Sequence, residues 1–285
     1  MFALVFVSLL WAFSFGIIKG ELTNLPPTLV AHLRLFISFL VFLPVALFFK
    51  RTTPSIKLMV LGSVQFGLMY IAYILSYQYL PGYLVAVLTI FTPLYVMIFD
   101  AVLKKRFHAT WFFPIILSII GAAILVYREN NADHWFVGFL ILQVANLAFA
   151  FGQIYYKHYT SHQTQIADHA SNMANMYLGA ALFSGLVMLA SVEGSVTDIE
   201  ITQRQLYFIL YLGAVASGLG FFLWNLGAKQ VSSSTLAIMN NGYVPLAIIL
   251  AFTVFDESID MIKLLCGTSI IVISLIWAHK QQARG

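Results

Sequence analysis

The 285-residue chain is 61% hydrophobic and 9% charged, with a mean hydropathy of +0.89 and a formal net charge of +4. A soluble domain carries about 25% charged residues, so this chain cannot cover a water-facing surface and reads as an integral membrane protein. The basic residues fall in short clusters between apolar runs, which argues for membrane orientation rather than nucleic-acid binding; one cysteine, Cys266, excludes an internal disulfide and a four-cysteine metal site.

A bilayer core needs about 20 apolar residues per helix. Ten stretches qualify, centred near residues 10, 39, 68, 92, 118, 145, 181, 214, 244 and 269. The first has no basic segment before it and ends in "FGIIKGE" rather than a small-residue cleavage site, so it is expected to stay as a span. It carries Trp11 and Phe15 one helical turn apart, and Lys19 near its end. Span two holds Arg34, a few residues inside its outer end; an ionisable group there is a functional candidate by default, although snorkelling to the surface is the competing reading. Arg34 either holds a substrate carboxylate or phosphate, or pairs with a helix end.

In span three, Tyr70, Tyr73 and Tyr77 share one face. Span four has Pro93 near its middle, where the ring removes a backbone donor and frees a carbonyl. Asp100, one turn before Lys104, reads as its ion-pair partner. Span six carries Gln143, Asn146, Ala150 and Gln153 at helical spacing; that stripe either lines a pathway or joins two helices. Span eight carries Trp224 and Asn225. Span nine, "STLAIMNNGYVPLAII", breaks its apolar run with Asn240, Asn241, Gly242 and Pro245. Buried amides need partners in hydrocarbon. Asn240 and Tyr243 share a face and are expected to line a cavity, with Asn241 turned to a neighbouring helix. Gly242, Pro245 and Pro93 are expected to loosen the helices for gating, against the simpler reading that they kink them for packing.

With the N-terminus in the cytoplasm, ten Lys and Arg residues fall on inner connections and four on outer ones, which satisfies the positive-inside rule and places both termini in the cytoplasm. The chain also repeats itself. "AFSFG" (12–16) matches "AFAFG" (148–152), "LGSVQFGL" (61–68) matches "LGAVASGL" (212–219), and "TPL" (92–94) matches "VPL" (244–246), in order and at similar separations. Five spans per half force the second copy to start from the opposite side. The expected fold is therefore all-α, with ten transmembrane helices as two inverted five-helix repeats, residues 1–131 and 132–285. Such repeats are typical of secondary transporters with a midplane site. The 151-residue offset pairs Tyr73 with Trp224, and both are expected at a central cavity.

The "LLWAFSF" opening, "PPTLVAHLRLF" with its arginine, the prolines of spans four and nine, and "VFDES" closing span nine resemble the drug/metabolite transporter superfamily, in particular its ten-span EamA-type members. The resemblance covers nearly the whole chain. One departure is "LKKRF" (103–107), where family first halves often close span four with an acid. The resemblance favours export.

Taken together, these readings describe a multi-pass inner-membrane carrier that moves a small polar metabolite by alternating access. The substrate expected is an amino acid or related aromatic-tolerant compound, bound by Asn240, Tyr243, Trp224, Tyr73, Tyr70, Asn146, Arg34 and Trp11. The alternatives are an uptake carrier for a vitamin or nucleotide-like metabolite, or a non-transporting sensor or accessory subunit. No H-E-x-x-H, G-x-S-x-G or intramembrane aspartate pair points to an enzyme. No cofactor or metal is implied. The partners expected are substrate and membrane lipid, not nucleic acid, with a homodimer left open.

Overall fold

Inside hydrocarbon, backbone N–H and C=O groups find no water, so an apolar segment must satisfy them internally as a helix. The computed structural model conforms. It describes residues 2–48, 54–106, 112–126, 135–191, 199–241, 243–244, 250, 253–254 and 260–282, and every regular element among them is helical. The α-helices are α1 (Phe2–Ile17), α2 (Pro27–Phe48), α3 (Ile56–Gly62), α4 (Met69–Ser76), α5 (Gly82–Leu88), α6 (Thr92–Lys104) and α7 (Phe112–Val126). They continue with α8 (Trp135–Tyr159), α9 (Ile166–Ser191), α10 (Gln203–Tyr211), α11 (Gly220–Lys229), α12 (Ser233–Met239) and, labelled α13, Met261–Gln282. A π-helical turn, Ile18–Leu22, extends α1. Longer π-helical segments join α3 to α4 (Ser63–Leu68) and α10 to α11 (Leu212–Leu219), and a 3-10 turn, Thr89–Phe91, joins α5 to α6.

Seven of the described stretches are long and apolar enough to cross a membrane: Phe2–Leu22, Pro27–Val45, Ile56–Ser76, Leu84–Lys104, Trp135–Tyr159, Ile166–Ser191 and Gln203–Lys229. Shorter apolar helices cover Phe112–Gly121 and Met261–Ser274. Large apolar side chains such as Phe48, Leu186 and Ile262 face outward, which suits a lipid surface and not water. Of span nine, the structure describes α12 and a few residues beyond it. Gly242 and Pro245 lie outside the described residues.

The end contacts fix how the helices alternate. Arg204 pairs with Glu21, Lys19 donates to the Tyr77 carbonyl, and Ser191 donates to Thr28 at one end, called here the far side. Asp100 accepts from Ser233, Lys157 donates to the Val231 carbonyl and Lys229 to that of Gln163 at the other, near side, where α1 begins.

The first "LGxVxxGL" stretch runs from the end of α3 through the π segment Ser63–Leu68, the second is the π segment Leu212–Leu219, and both sit at close helix approaches. α3 and its π segment pack on α9, the second π segment packs on α2, and α2 and α9 form the most extensive pair. A Cβ on Gly62 would lie 1.9 Å from the Met176 carbonyl oxygen, and one on Gly179 would lie 2.1 Å from that of Met59. The two backbones touch, and only glycine permits it. At the matching position of the second stretch, a Cβ on Gly213 would lie 2.8 Å from the Ile37 Cβ and 3.1 Å from the Arg34 carbonyl oxygen. This small-residue packing stands in for the hydrophobic effect, which does not draw helices together in lipid.

Gly62→Ala should therefore lower thermal stability in detergent by about 1–3 kcal/mol through overpacking. Gly20→Ala, where an added Cβ meets nothing within 4 Å, should change it little. Equal melting of the two variants would contradict the close approach of α3 and α9.

Candidate functional site

Two departures from α-helical geometry expose carbonyls, and the site is built around these exposures. In the 3-10 turn Thr89–Phe91, the Thr92 amide bonds the Thr89 carbonyl, which leaves the Leu88 carbonyl to accept from Asn146 Nδ2 at 3.1 Å. Pro93 follows in the first turn of α6, where it disturbs least because the helix has only begun. Tyr243 donates its hydroxyl to Thr89 at 2.8 Å, from the opposite half of the chain. In the π segment Leu212–Leu219, Ser38 donates to the Gly213 carbonyl, Trp11 Nε1 to that of Ala216, and Tyr177 to that of Ser217.

Between these breaks lies a cavity of about 550 Å³ of non-atom space, part of it open to the exterior. α1 contributes Trp11, Ser14 and Phe15, α2 contributes Arg34, and α4 contributes Tyr70 and Tyr73. Thr89, Asn146, Phe149, Phe221 and Tyr243 complete most of the wall. The rings interlock: Phe15 stacks on Tyr243 at 5.3 Å, and Trp11 meets Phe149 and Phe221 at 5.8 and 4.7 Å. Arg34 is the only charged residue lining it, among the described residues.

Of the residues read from the sequence, Trp11, Arg34, Tyr70, Tyr73, Asn146 and Tyr243 line this cavity, and Trp224 and Asn240 do not. Those two sit one layer nearer the near side. Gln153 Nε2 donates to Asn240 Oδ1 and Asn240 Nδ2 to Gln153 Oε1, both at 3.2 Å, while Trp224 Nε1 also donates to Gln153 Oε1 at 3.0 Å. The Trp224 ring packs at a tilt against Trp11, with centroids 4.7 Å apart. Gln65 and Asn225 extend the layer at 3.4 Å. The result is a plug of hydrogen-bonded amides beneath the cavity, in which Gln65 Oε1 has no partner among the described residues. The expected pairing of Tyr73 with Trp224 thus splits: Tyr73 is in the wall and Trp224 is in the plug. The stripe on α8 splits likewise, with Asn146 in the wall, Gln153 in the plug and Gln143 accepting from Tyr95 at 3.0 Å.

Sequence reading passed over Ser14, Thr89, Phe149 and Phe221. Ser14 lies three residues after Trp11 and Phe149 three after Asn146, so helical spacing from a chosen residue was the available signal.

The sequence profile of the EamA-like transporter family matches residues 1–127 and 136–278. The chain is 33% identical to a biotin transporter of Salmonella typhimurium strain LT2, over 99% of this chain and 93% of that one. It is 25% identical to a probable amino-acid metabolite efflux pump of Escherichia coli K12, over 76% and 74% respectively. A solved crystal structure, 15% identical, superimposes with a TM-score of 0.74 over 97% of this chain and 95% of the other, so the fold is shared.

The plug predicts a stability phenotype. Asn240→Leu leaves the Gln153 amide short of partners inside the bundle and should cost about 1–3 kcal/mol. The double variant Asn240→Leu, Gln153→Leu removes both amides and should lose less than the sum of the two single variants, by thermal unfolding without ligand. Strict additivity would mean that the two amides do not interact.

Proposed function

Because the chain belongs to the EamA-like transporter family, we propose that it is a secondary carrier that takes up biotin or a closely similar ring-bearing carboxylic acid. The family and the named relatives are transporters of small metabolites rather than enzymes. The single observation that carries the substrate reading is the wall itself, which combines Trp11, Phe15, Tyr73, Phe149, Phe221 and Tyr243 with one cation and no lining carboxylate among the described residues. Such a wall covers an apolar ring system and receives one negative charge. An amino acid would bring an ammonium group that has no anionic partner here, so amino-acid export is the weaker reading. The full-length relatives named for biotin support the same choice over the partial matches named for efflux.

The working architecture is ten spans in two inverted repeats, in the cytoplasmic membrane with both termini inside. The two stretches matched by the family profile support two repeats. So does the reciprocal packing, in which the span with the first π segment meets α9 and the span with the second meets α2. Rocking of one repeat against the other would expose the cavity first to one side and then to the other. In this arrangement the near side is filled by the amide plug, and the cavity occupies the middle and the far half. The far side is then the external one.

Purified protein in liposomes should take up labelled biotin saturably, and internal unlabelled biotin should accelerate its entry. Excess leucine or phenylalanine should not compete. Phe15→Leu, which removes a ring that stacks on Tyr243, should weaken apparent affinity about 2- to 10-fold. Amino-acid flux without biotin flux would overturn the substrate reading, and no flux of either would overturn the carrier reading for these substrates.

A further inference from the structure

Arg34 is almost fully buried, with 1% of its surface exposed. Its Nη2 donates to the Tyr70 hydroxyl at 3.0 Å and to the Ser217 hydroxyl at 3.1 Å. Those two hydroxyls are themselves 2.8 Å apart, and the guanidinium carbon lies 4.3 Å from the centre of the Tyr70 ring. Nε and Nη1 have no partner among the described residues. A guanidinium has five N–H bonds, one on Nε and two on each terminal nitrogen, so three of the five are unmet. The described ion pairs lie elsewhere, at Arg204 with Glu21, Lys104 with Asp100 and Lys263 with Asp260.

A buried cation without a counter-charge is among the most unfavourable groups a membrane helix can carry. A guanidinium that only pinned α2 to α4 and to the π segment would be expected to satisfy all its donors in place. This one is held along one edge by two neutral hydroxyls from different halves of the chain, and it lines the cavity with Nε and Nη1 buried and unpartnered among the described residues. We infer that Arg34 is the anion-recognition group of the cavity and that the site selects a single ionised carboxylate. A dianion such as phosphate would leave one charge unmatched, since no second cation lines the wall among the described residues. Lys19, the nearest candidate by sequence, is engaged with the Tyr77 carbonyl. The inference rests on the carrier reading and deepens it. Tyr70 and Ser217 are positioning residues that set the guanidinium plane.

The test measures binding to the purified full-length protein by calorimetry. The probes are two acid–amide pairs, biotin with biotin amide and 5-phenylpentanoate with its amide, together with inorganic sulfate. Each acid should bind about 10- to 100-fold more tightly than its amide, the range expected for charge-assisted bonds, and sulfate should not compete. Arg34→Gln should abolish the acid preference without lowering the melting temperature of the ligand-free protein, and Arg34→Lys should keep part of it. Equal binding of acid and amide by the wild type, or an acid preference that survives in Arg34→Gln, would overturn the inference. If Arg34→Gln does not fold, the wild-type acid–amide comparison and Arg34→Lys still decide it. Preference for 5-phenylpentanoate over its amide with no binding of biotin would sink the biotin reading and leave the inference standing. Failure of both acids to bind would sink both.

Discussion

In the hydrocarbon of a bilayer a carbonyl freed from its helical partner has no water to turn to. Two of the breaks in these helices are closed by side chains from distant parts of the chain. Asn146 closes the break at Leu88, and Ser38, Trp11 and Tyr177 close the π segment at Gly213, Ala216 and Ser217. The breaks make room for a cavity, and the residues that close them become its wall or its support. Trp11 and Asn146 do both at once, since each donates to a carbonyl and lines the cavity.

Two matching stretches, one in each half of the chain, both carry π-helical segments and differ in chemistry. Gly62 of "LGSVQFGL" and Gly213 of "LGAVASGL" allow close approaches on α9 and on α2, the tighter one at Gly62. Where Ser217 in the second stretch turns its hydroxyl to Arg34, the matching residue of the first is Phe66, which stacks on Tyr177 at 4.9 Å. The unmatched charge thus lies beside the second of the two matching stretches and has no counterpart at the first. Below it, Gln153, Asn240 and Trp224 bond to one another. Two states of similar energy call for backbone symmetry, and recognition of an asymmetric ligand calls for chemical asymmetry.

Much of this was legible in the chain. The apolar runs gave the helices because lipid leaves them no alternative. The paired glycine stretches were legible as a repeated pattern, while the close approaches at Gly62 and Gly213 appear only in the structure. Arg34 stood out because a cation inside an apolar run is rare. What escaped depends on pairing across long separations. Asn240 is satisfied by Gln153, 87 residues earlier, and nothing in span nine says whether an amide faces a cavity or another amide. Thr89 and Ser217 look like any hydroxyl in an apolar run until a tyrosine or an arginine is placed beside them. Phe149 and Phe221 could not be distinguished among 25 phenylalanines, because an aromatic packs equally well against lipid, core or ligand.

The central claim is that the near-side plug and the far-side contacts open in alternation around one site. Spin-label distances test it directly in a protein whose exposed native cysteine is replaced, Cys266→Ser. One pair of labels spans the far side at Asn24 and Gln203, and the other spans the near side at Lys105 and Gln230, all four exposed. On titration with biotin the account predicts two distance populations for each pair. The population that lengthens across one side should shorten across the other. Distances that stay fixed at both ends while the same preparation transports biotin, or that lengthen together, would contradict it.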